Sequence, residues 1–173
     1  MAQIGIFYGT DTGNTEDAAL LIQQLIGEDK ADVFDTSKHQ DPALLKDYDL
    51  VILGTSTWYL GEMQSDMDNF MSNMENIDLK GRKFALFGLG NQIDYSEYYL
   101  DGMGILYNYL KEKGAVIIGR WPVEGYDFAS TLAITDDDST FVGLALDNDN
   151  QSDLTPDRAA TWVEQILKES GLE

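Results

Sequence analysis

The sequence predicts an α/β protein: a three-layer α/β/α sandwich around a five-stranded parallel sheet. Three observations carry this. Short, almost wholly apolar runs recur at Ile4-Gly5-Ile6-Phe7-Tyr8, Leu50-Val51-Ile52-Leu53, Phe84-Ala85-Leu86-Phe87 and Ala115 to Ile118, as strands covered on both faces require. Segments with apolar residues at helical spacing separate them. The two types alternate through all 173 residues without an interdomain linker or a solenoid-length repeat, so the whole chain, 1–173, reads as one domain.

After the first strand, Gly9 to Thr15 is rich in Gly and Thr, and Ala18, Leu21, Ile22 and Leu25 then recur at helical spacing. Glu16 and Asp17 sit near the positive end of that helix dipole. Ala31 to Phe34 reads as a second strand, and Pro42 opens a short helix. A helix over 66–75 follows the third strand, with Met67, Met71 and Met74 sharing one face as core filler. The helix over 99–113 places Met103, Leu106 and Leu110 on one face. Between Arg120 and Thr140 the chain turns polar and aromatic, and Phe141-Val142-Gly143-Leu144 resumes a strand-like run. The simplest reading is a fifth strand split by an inserted loop, and a loop that long is more often functional or partner-facing than idle. The last helix begins near Thr155-Pro156, read as a cap followed by a first-turn proline, with Ala159, Trp162, Val163, Ile166 and Leu167 inward.

Charge and composition exclude several functions. There are 11 basic and 31 acidic side chains, a formal charge of −20, while 43% hydrophobic residues suffice for one core. Nucleic acid and anionic membrane surfaces need clustered Lys and Arg, so neither is an expected partner. A small neutral or anionic ligand, or a basic protein, remains. The absence of cysteine removes disulfides, thiolate nucleophiles, iron–sulfur clusters and cysteine zinc sites held by this chain. His39, the single histidine, lies between Lys38 and Gln40 in a polar stretch, a poor place for a catalytic triad. Met1-Ala2-Gln3 leads straight into a strand without a basic start or a long apolar run, so no secretory signal or membrane span is expected and the cytoplasm is the default location.

In such a sheet the ligand crevice forms from loops at the carboxyl ends of the strands, here Gly9–Thr15, Gly54–Gly61, Gly88–Tyr95 and Asp147–Asp149. Thr10-Asp11-Thr12-Gly13-Asn14-Thr15 joins three hydroxyls, a glycine and the amides of a helix start, which suits an anion held without Lys or Arg. The same residues also suit an ordinary capped turn. It is not a nucleotide-triphosphatase loop, because the glycine spacing and the Gly-Lys-Ser/Thr ending are missing. Trp58 and Tyr95 stand on two loops of this rim, and two aromatic faces across a gap suit a flat heteroaromatic ring; each also suits packing on its own loop. Gly88-Leu89-Gly90 lacks the third glycine of a dinucleotide fingerprint. Asp147-Asn148-Asp149-Asn150 fails as a calcium loop, with Ser152 and Arg158 at the glycine and glutamate positions, and hydroxyl recognition by Asp147 is the better reading. Asp136-Asp137-Asp138 reads as a solvated turn.

Taken together and in order, these motifs resemble the flavodoxin family over the whole chain, and the split fifth strand followed by Gly143 to Gln151 resembles its long-chain branch. The resemblance implies the strand order 2-1-3-4-5 and a non-covalently bound flavin mononucleotide (FMN). It implies that Thr10, Thr12 and Thr15, with backbone amides from Asp11 to Thr15, Gly13 and Asn14 included, hold the phosphate. Ser56, Thr57 and Asp147 would meet the ribityl chain, and Trp58 and Tyr95 would sandwich the ring. Backbone near Leu89, Gly90, Asn91 and Tyr98 would meet the pyrimidine edge. The Tyr59-Leu60 peptide, before Gly61, matches the one that turns over toward reduced flavin N5. Two departures bear on the redox potentials: Ser56 stands where proline is usual, loosening the loop, and Asn91 replaces an aspartate, removing a charge.

The function so implied is a low-potential one-electron carrier cycling mainly between semiquinone and hydroquinone. It would be a monomer, not an enzyme, serving redox proteins with basic docking surfaces such as an NADP-linked flavodoxin/ferredoxin reductase and electron-accepting enzymes. Negative charge on the reduced ring would be costly among carboxylates such as Asp94 and Glu62 with no cation in the loops. Glu62, Asp66, Asp68, Asp94, Glu97 and Asp101 would steer basic partners. If the turned peptide needs positive φ at Tyr59, a non-glycine residue there makes the turn costlier by about 1–2 kcal/mol. A flavin-dependent NAD(P)H–quinone reductase on the same fold is the rival, and it needs a substrate pocket where Tyr95 would stack. A signalling receiver domain fails on residues, since Tyr8-Gly9-Thr10 and Gly54-Thr55 occupy the places of its acids.

Overall fold

A computed structural model describes residues 2–173. The elements run β1 (Ile4–Tyr8), α1 (Asn14–Ile26), β2 (Ala31–Asp35), β3 (Leu50–Trp58), β4 (Glu62–Met63), α2 (Ser65–Asn73), β5 (Lys83–Leu89), α3 (Asp101–Glu112), β6 (Val116–Ile118), β7 (Trp121–Pro122), β8 (Thr140–Phe141), β9 (Leu144–Leu146) and α4 (Thr155–Ser170). The sheet orders its main strands β2-β1-β3-β5-β6, all parallel. This is the predicted order. β6 pairs Lys83–Ala85 and β9 pairs Phe87–Leu89, so the two short strands share one edge of β5 and form the split fifth strand.

The central strands β1, β3 and β5 feed two cores, whereas β2 and β6 at the sheet's edges are only partly covered, with Val116 46% exposed where a strand buried on both faces is expected. On one face Ile6, Ile52 and Phe87 meet Ala18, Ile22, Trp162 and Ile166 of α1 and α4. On the other, Phe7, Val51, Leu53 and Phe84 meet Met67, Phe70, Met103 and Leu106 of α2 and α3. Strands covered on both sides explain the near-continuous apolar runs.

Several details depart from expectation. In α1, Ile26 is buried and Leu25 is 40% exposed, because Ala19 joins Ala18 and Ile22 on the inner stripe and shifts it by one residue. Pro42 does open the expected short helix, which has 3₁₀ form over Pro42–Asp47. Thr155 is the first residue of α4, not its cap; its hydroxyl donates to Asn148 Oδ1 at 2.7 Å, and Leu154 holds the cap position. Phe141 does not resume the fifth strand. It pairs with Trp121 in a two-stranded antiparallel ribbon, and the sheet resumes at Leu144.

The insertion at 120–140 is thus folded, not loose. Phe128, Tyr126 and Phe141 cluster around buried Tyr99, with Tyr126 edge-on to Phe141 at 5.0 Å. Tyr126 accepts from Trp121 Nε1 at 2.9 Å and donates to the Ala145 carbonyl at 2.6 Å, while the Arg158 guanidinium lies 4.1 Å over its ring. Burial pushes the Tyr126 phenol up to about 12, opposed by Arg158. Tyr126→Phe, which strands the Ala145 carbonyl and the Trp121 N–H, is expected to lower stability by about 1–2 kcal/mol in urea titrations at pH 7. A phenol whose folded value exceeds the unfolded one near ~10 contributes fully below that pH and loses its contribution as pH rises. The difference between wild type and variant should therefore shrink from pH ~10 toward about 12.

Candidate functional site

The carboxyl ends of β1, β3 and β5 reach the same rim, because these three strands are neighbours in parallel register: Tyr8 pairs with Gly54, and Gly54 with Phe87. A cleft opens there between the loops that leave them. Its walls are Thr12, Asn14 and Thr15 from the first loop, Ser56 to Tyr59 from the second, Leu89 to Asn91 with Tyr95 from the third, and Asp149. None of these residues is Lys or Arg.

The first loop is an anion cradle in its local structure. Gly13 occupies the cap position of α1 at φ +95°, and no side chain caps the helix. The Gly13 N–H is instead held by Thr10 Oγ1 at 3.0 Å, which tightens the turn behind the cleft. The amides of the first turn of α1 therefore point toward the end of the cleft where Thr12, Asn14 and Thr15 stand, and the helix dipole adds partial positive charge. Asp11 turns away: its Oδ1 accepts from Gln64 Nε2 at 3.0 Å.

The second element is a hairpin, where a loop from Gly54 to Gly61 was expected. β3 continues to Trp58 because Gly54, Thr55 and Ser56 are paired with β5, and the chain folds back with Trp58 opposite Glu62 and Thr57 opposite Met63. Tertiary pairing overrides a turn-like composition. Trp58 Nε1 donates to Ser56 Oγ at 2.9 Å, which fixes the indole over the cleft wall. Thr57 Oγ1 accepts the Gly102 N–H at 2.9 Å, so its hydroxyl serves the hairpin's support. Tyr59 makes the turn at φ +49° with 70% of its surface exposed, followed by Leu60, 73% exposed, and Gly61 at φ +91°. A non-glycine residue in this region carries strain of about 1–2 kcal/mol.

In the third loop, Asn91 Oδ1 accepts from the amides of Ile93 and Asp94 at 3.1 and 2.8 Å, closing a turn that presents Tyr95 to the cleft. Gln92, buried, donates its N–H and its Nε2 to Asp147 Oδ2 at 3.1 and 2.9 Å and accepts the Asp127 N–H on Oε1 at 2.6 Å.

The residues named from sequence divide accordingly. Thr12, Asn14, Thr15, Ser56, Thr57, Trp58, Tyr59, Leu89, Gly90, Asn91 and Tyr95 meet in the cleft. Thr10, Asp11 and Gly13 stand behind it, and Leu60 and Gly61 form the hairpin tip. Tyr98 lies against Gly61, where an added Cβ would come 3.3 Å from its ring. Asp147 is wholly buried, with five donors on its two oxygens from Gln92, Asp149 and Asn150. It has no hydroxyl-binding capacity to spare, and Asp149 takes the place at the cleft. Asp101, expected among the acids that steer basic partners, is only 6% exposed, and burial pushes its carboxyl up against the opposing Leu132 N–H bond. It cannot steer a partner. Glu62, Asp68, Asp94 and Glu97 are exposed and Asp66 is half-buried.

Sequence reasoning passed over two buried amides, Gln64 and Gln92; a glutamine has no signature until its neighbours are known. Gln64 Nε2 donates to Asp11 Oδ1 and to Asp66 Oδ2, and its Oε1 accepts the Met67 N–H at 2.9 Å, capping α2. Gln64→Met should lower stability by about 1–3 kcal/mol, through the lost cap that leaves the buried Met67 N–H unpaired. Chemical denaturation measures this, and inorganic phosphate protection of the first loop should weaken in parallel.

Comparison with known proteins places the whole chain among relatives of one family. The family model described as flavodoxin matches residues 6–162. The chain is 47% identical to flavodoxin of Klebsiella pneumoniae over 173 residues, covering 100% of this chain and 97% of that one. It is 42% identical to flavodoxin of Synechococcus elongatus over 172 residues, 99% of this chain and 100% of that one. A solved structure, Fusobacterium nucleatum flavodoxin bound to flavin mononucleotide, superposes with a TM-score of 0.89 at 33% identity, covering 98% and 99% of the two chains. The chain belongs to the flavodoxin family.

Proposed function

We propose that this chain is a one-electron carrier that holds FMN in the cleft as a single domain, 1–173. The observation that carries the reading is the meeting, in one cleft without Lys or Arg, of an uncapped helix start and two aromatic side chains from separate loops. Thr12, Asn14, Thr15 and the first-turn amides hold the phosphate, supported from behind by Thr10, Asp11 and Gly13. Ser56, Thr57 and Asp149 line the middle of the cleft. Trp58 and Tyr95 take the two faces of the ring, with Tyr59, Leu60 and Gly61 at its inner edge and Leu89, Gly90 and Asn91 at its pyrimidine edge. Tyr98 and Asp147 act from outside the cleft, as a packing residue and as the anchor of the 91–95 and 147–150 turns. When bound, the flavin supplies the electron-accepting chemistry.

The chain's own contribution is electrostatic. Gathering negative charge in a cleft with no cation, near exposed Glu62 and Asp94, is unfavourable, which lowers the potential for the second electron. Tyr95 on the outer face leaves no room for a nicotinamide or quinone, which favours a carrier over a reductase. The acids around the cleft, without Asp101, steer redox partners with basic docking surfaces, an NADP-linked reductase among them. No helix among the described residues is long and apolar enough to cross a membrane, and a cytoplasmic monomer suits this role.

Reconstitution tests the proposal. The chain refolded with FMN should bind it tightly, and Trp58→Ala and Tyr95→Ala should each raise the Kd by about 10–100-fold, about 1.4–2.8 kcal/mol. Anaerobic titration should resolve two one-electron potentials with the second lower; coincident steps would defeat the carrier reading. Electron transfer from a basic reductase, followed by stopped flow, should slow by about tenfold between ~20 and ~300 mM salt. Flat rates would remove the steering argument.

A further inference from the structure

The insertion at 120–140 contributes no residue to the cleft wall, yet it is fastened to the short stretch of chain that supports the Trp58 hairpin. That stretch is the first turn of α3. Leu100, at φ +58°, turns the chain into it. Asp101 follows, 6% exposed, and its Oδ1 accepts the N–H of Leu132 in the insertion at 2.8 Å. Its other oxygen faces the hairpin: a Cβ placed on Gly61 would come 2.7 Å from Asp101 Oδ2 and 3.2 Å from Asp101 Cβ. Gly102 donates its N–H to Thr57 Oγ1, and a Cβ on Gly102 would come 3.2 Å from the Ser56 carbonyl and from Met63 Cα. Gly104, one residue beyond Met103, lies so close under the insertion that a Cβ there would come 2.7 Å from the Ala133 nitrogen. The turn is therefore clamped between the hairpin on one side and Leu132-Ala133 on the other. Asp101 is the side chain in it that touches both.

We infer that Asp101 is a positioning residue for the flavin ring: by holding the Leu132 amide with one oxygen and seating Gly61 against the other, it ties the Trp58 hairpin to the insertion. The inference rests on the FMN reading above. The insertion then sets the height and tilt of the inner aromatic wall without touching the cofactor. Two features support this over a local role. A buried carboxyl is a costly way to satisfy one amide, since a serine or threonine would suffice. Gly61 also admits the carboxyl only because it lacks a side chain. A first contact held rigid by a second layer is the usual requirement for a precise site.

Coupling of this kind is reciprocal, so it has readouts on both sides. In the Asp101→Ala chain, the Kd for FMN and the Kd for riboflavin, read from flavin fluorescence, should rise by the same factor, about tenfold. Inorganic phosphate affinity should stay within twofold, since the first loop is untouched. Asp101→Asn retains an oxygen for the Leu132 N–H and should remain within twofold of wild type for both flavins. In the unmutated chain, saturation with FMN should slow hydrogen exchange of the Leu132 amide by at least about tenfold, although Leu132 is outside the cleft. The inference is overturned if a folded Asp101→Ala chain binds both flavins like wild type, if its phosphate affinity falls by the same factor, or if Asp101→Asn is as weak as Asp101→Ala. Should Asp101→Ala not fold, the exchange measurement decides alone, and unchanged Leu132 exchange overturns the inference. An unmutated chain that takes up no FMN defeats the cofactor reading itself, a result distinct from all of these.

Discussion

Everything at the cleft depends on the parallel pairing of β3 with β5, which extends from Leu50 opposite Lys83 to Ser56 opposite Leu89. Those last pairs carry two chain segments of turn-like composition, Gly54-Thr55-Ser56 and Gly88-Leu89, to the same height at the sheet's edge. Backbone hydrogen bonds there are satisfied on both sides, so the segments are rigid where composition alone would leave them loose. The aromatic residues that follow, Trp58 on one strand and Tyr95 beyond the other, are then brought to the same cleft as a consequence of register. A slip of the pairing by one residue would send Ser56 and the hairpin to the opposite face.

Around that pairing the molecule uses buried polar side chains as ties between loops. Gln64 joins the first loop to α2, Gln92 joins the third loop to both Asp147 and the insertion, and Asp101 joins α3 to the insertion. Each tie crosses a large distance in sequence. Buried amides and carboxyls of this sort are costly unless fully paired, and full pairing makes them specific for one arrangement. The cleft itself stays free of Lys and Arg, and its anion-binding capacity comes from peptide dipoles and hydroxyls. The protein's charge of −20 thus surrounds a cleft lined, among the described residues, by no Lys or Arg, with a helix end as its positive element.

The insertion acquires a physical role from the same pattern. It packs its own aromatic cluster around Tyr99, pairs β7 with β8, and returns the chain to the edge of β5 three residues later than its sequence indicates. Its contacts with Gln92 and Ser96 reach the outer loop, and those with Asp101 and Gly104 reach the inner hairpin. A segment outside the cleft is thereby connected to both aromatic walls.

Much of this was legible in the residues. The alternation of apolar runs with helical spacing indicated the sandwich and the split of the fifth strand, because periodicity and strand burial are local consequences of composition; the four loops at the rim then followed from the strand ends of a parallel sheet. Trp58, Tyr95 and the Thr-rich first loop were nameable as rim residues from their places after strands, although each also suited an ordinary turn or loop packing, and the fold brings Trp58, Tyr95, Thr12 and Thr15 into one cleft. What only the tertiary structure decided were matters of partnership. Asp147 read as a ligand contact and proved a buried anchor; Asp101 read as a surface charge and proved a buried tie; Leu25 read as core and proved exposed. A carboxylate's sequence surroundings do not say which amides will face it, and those amides come from segments dozens of residues away.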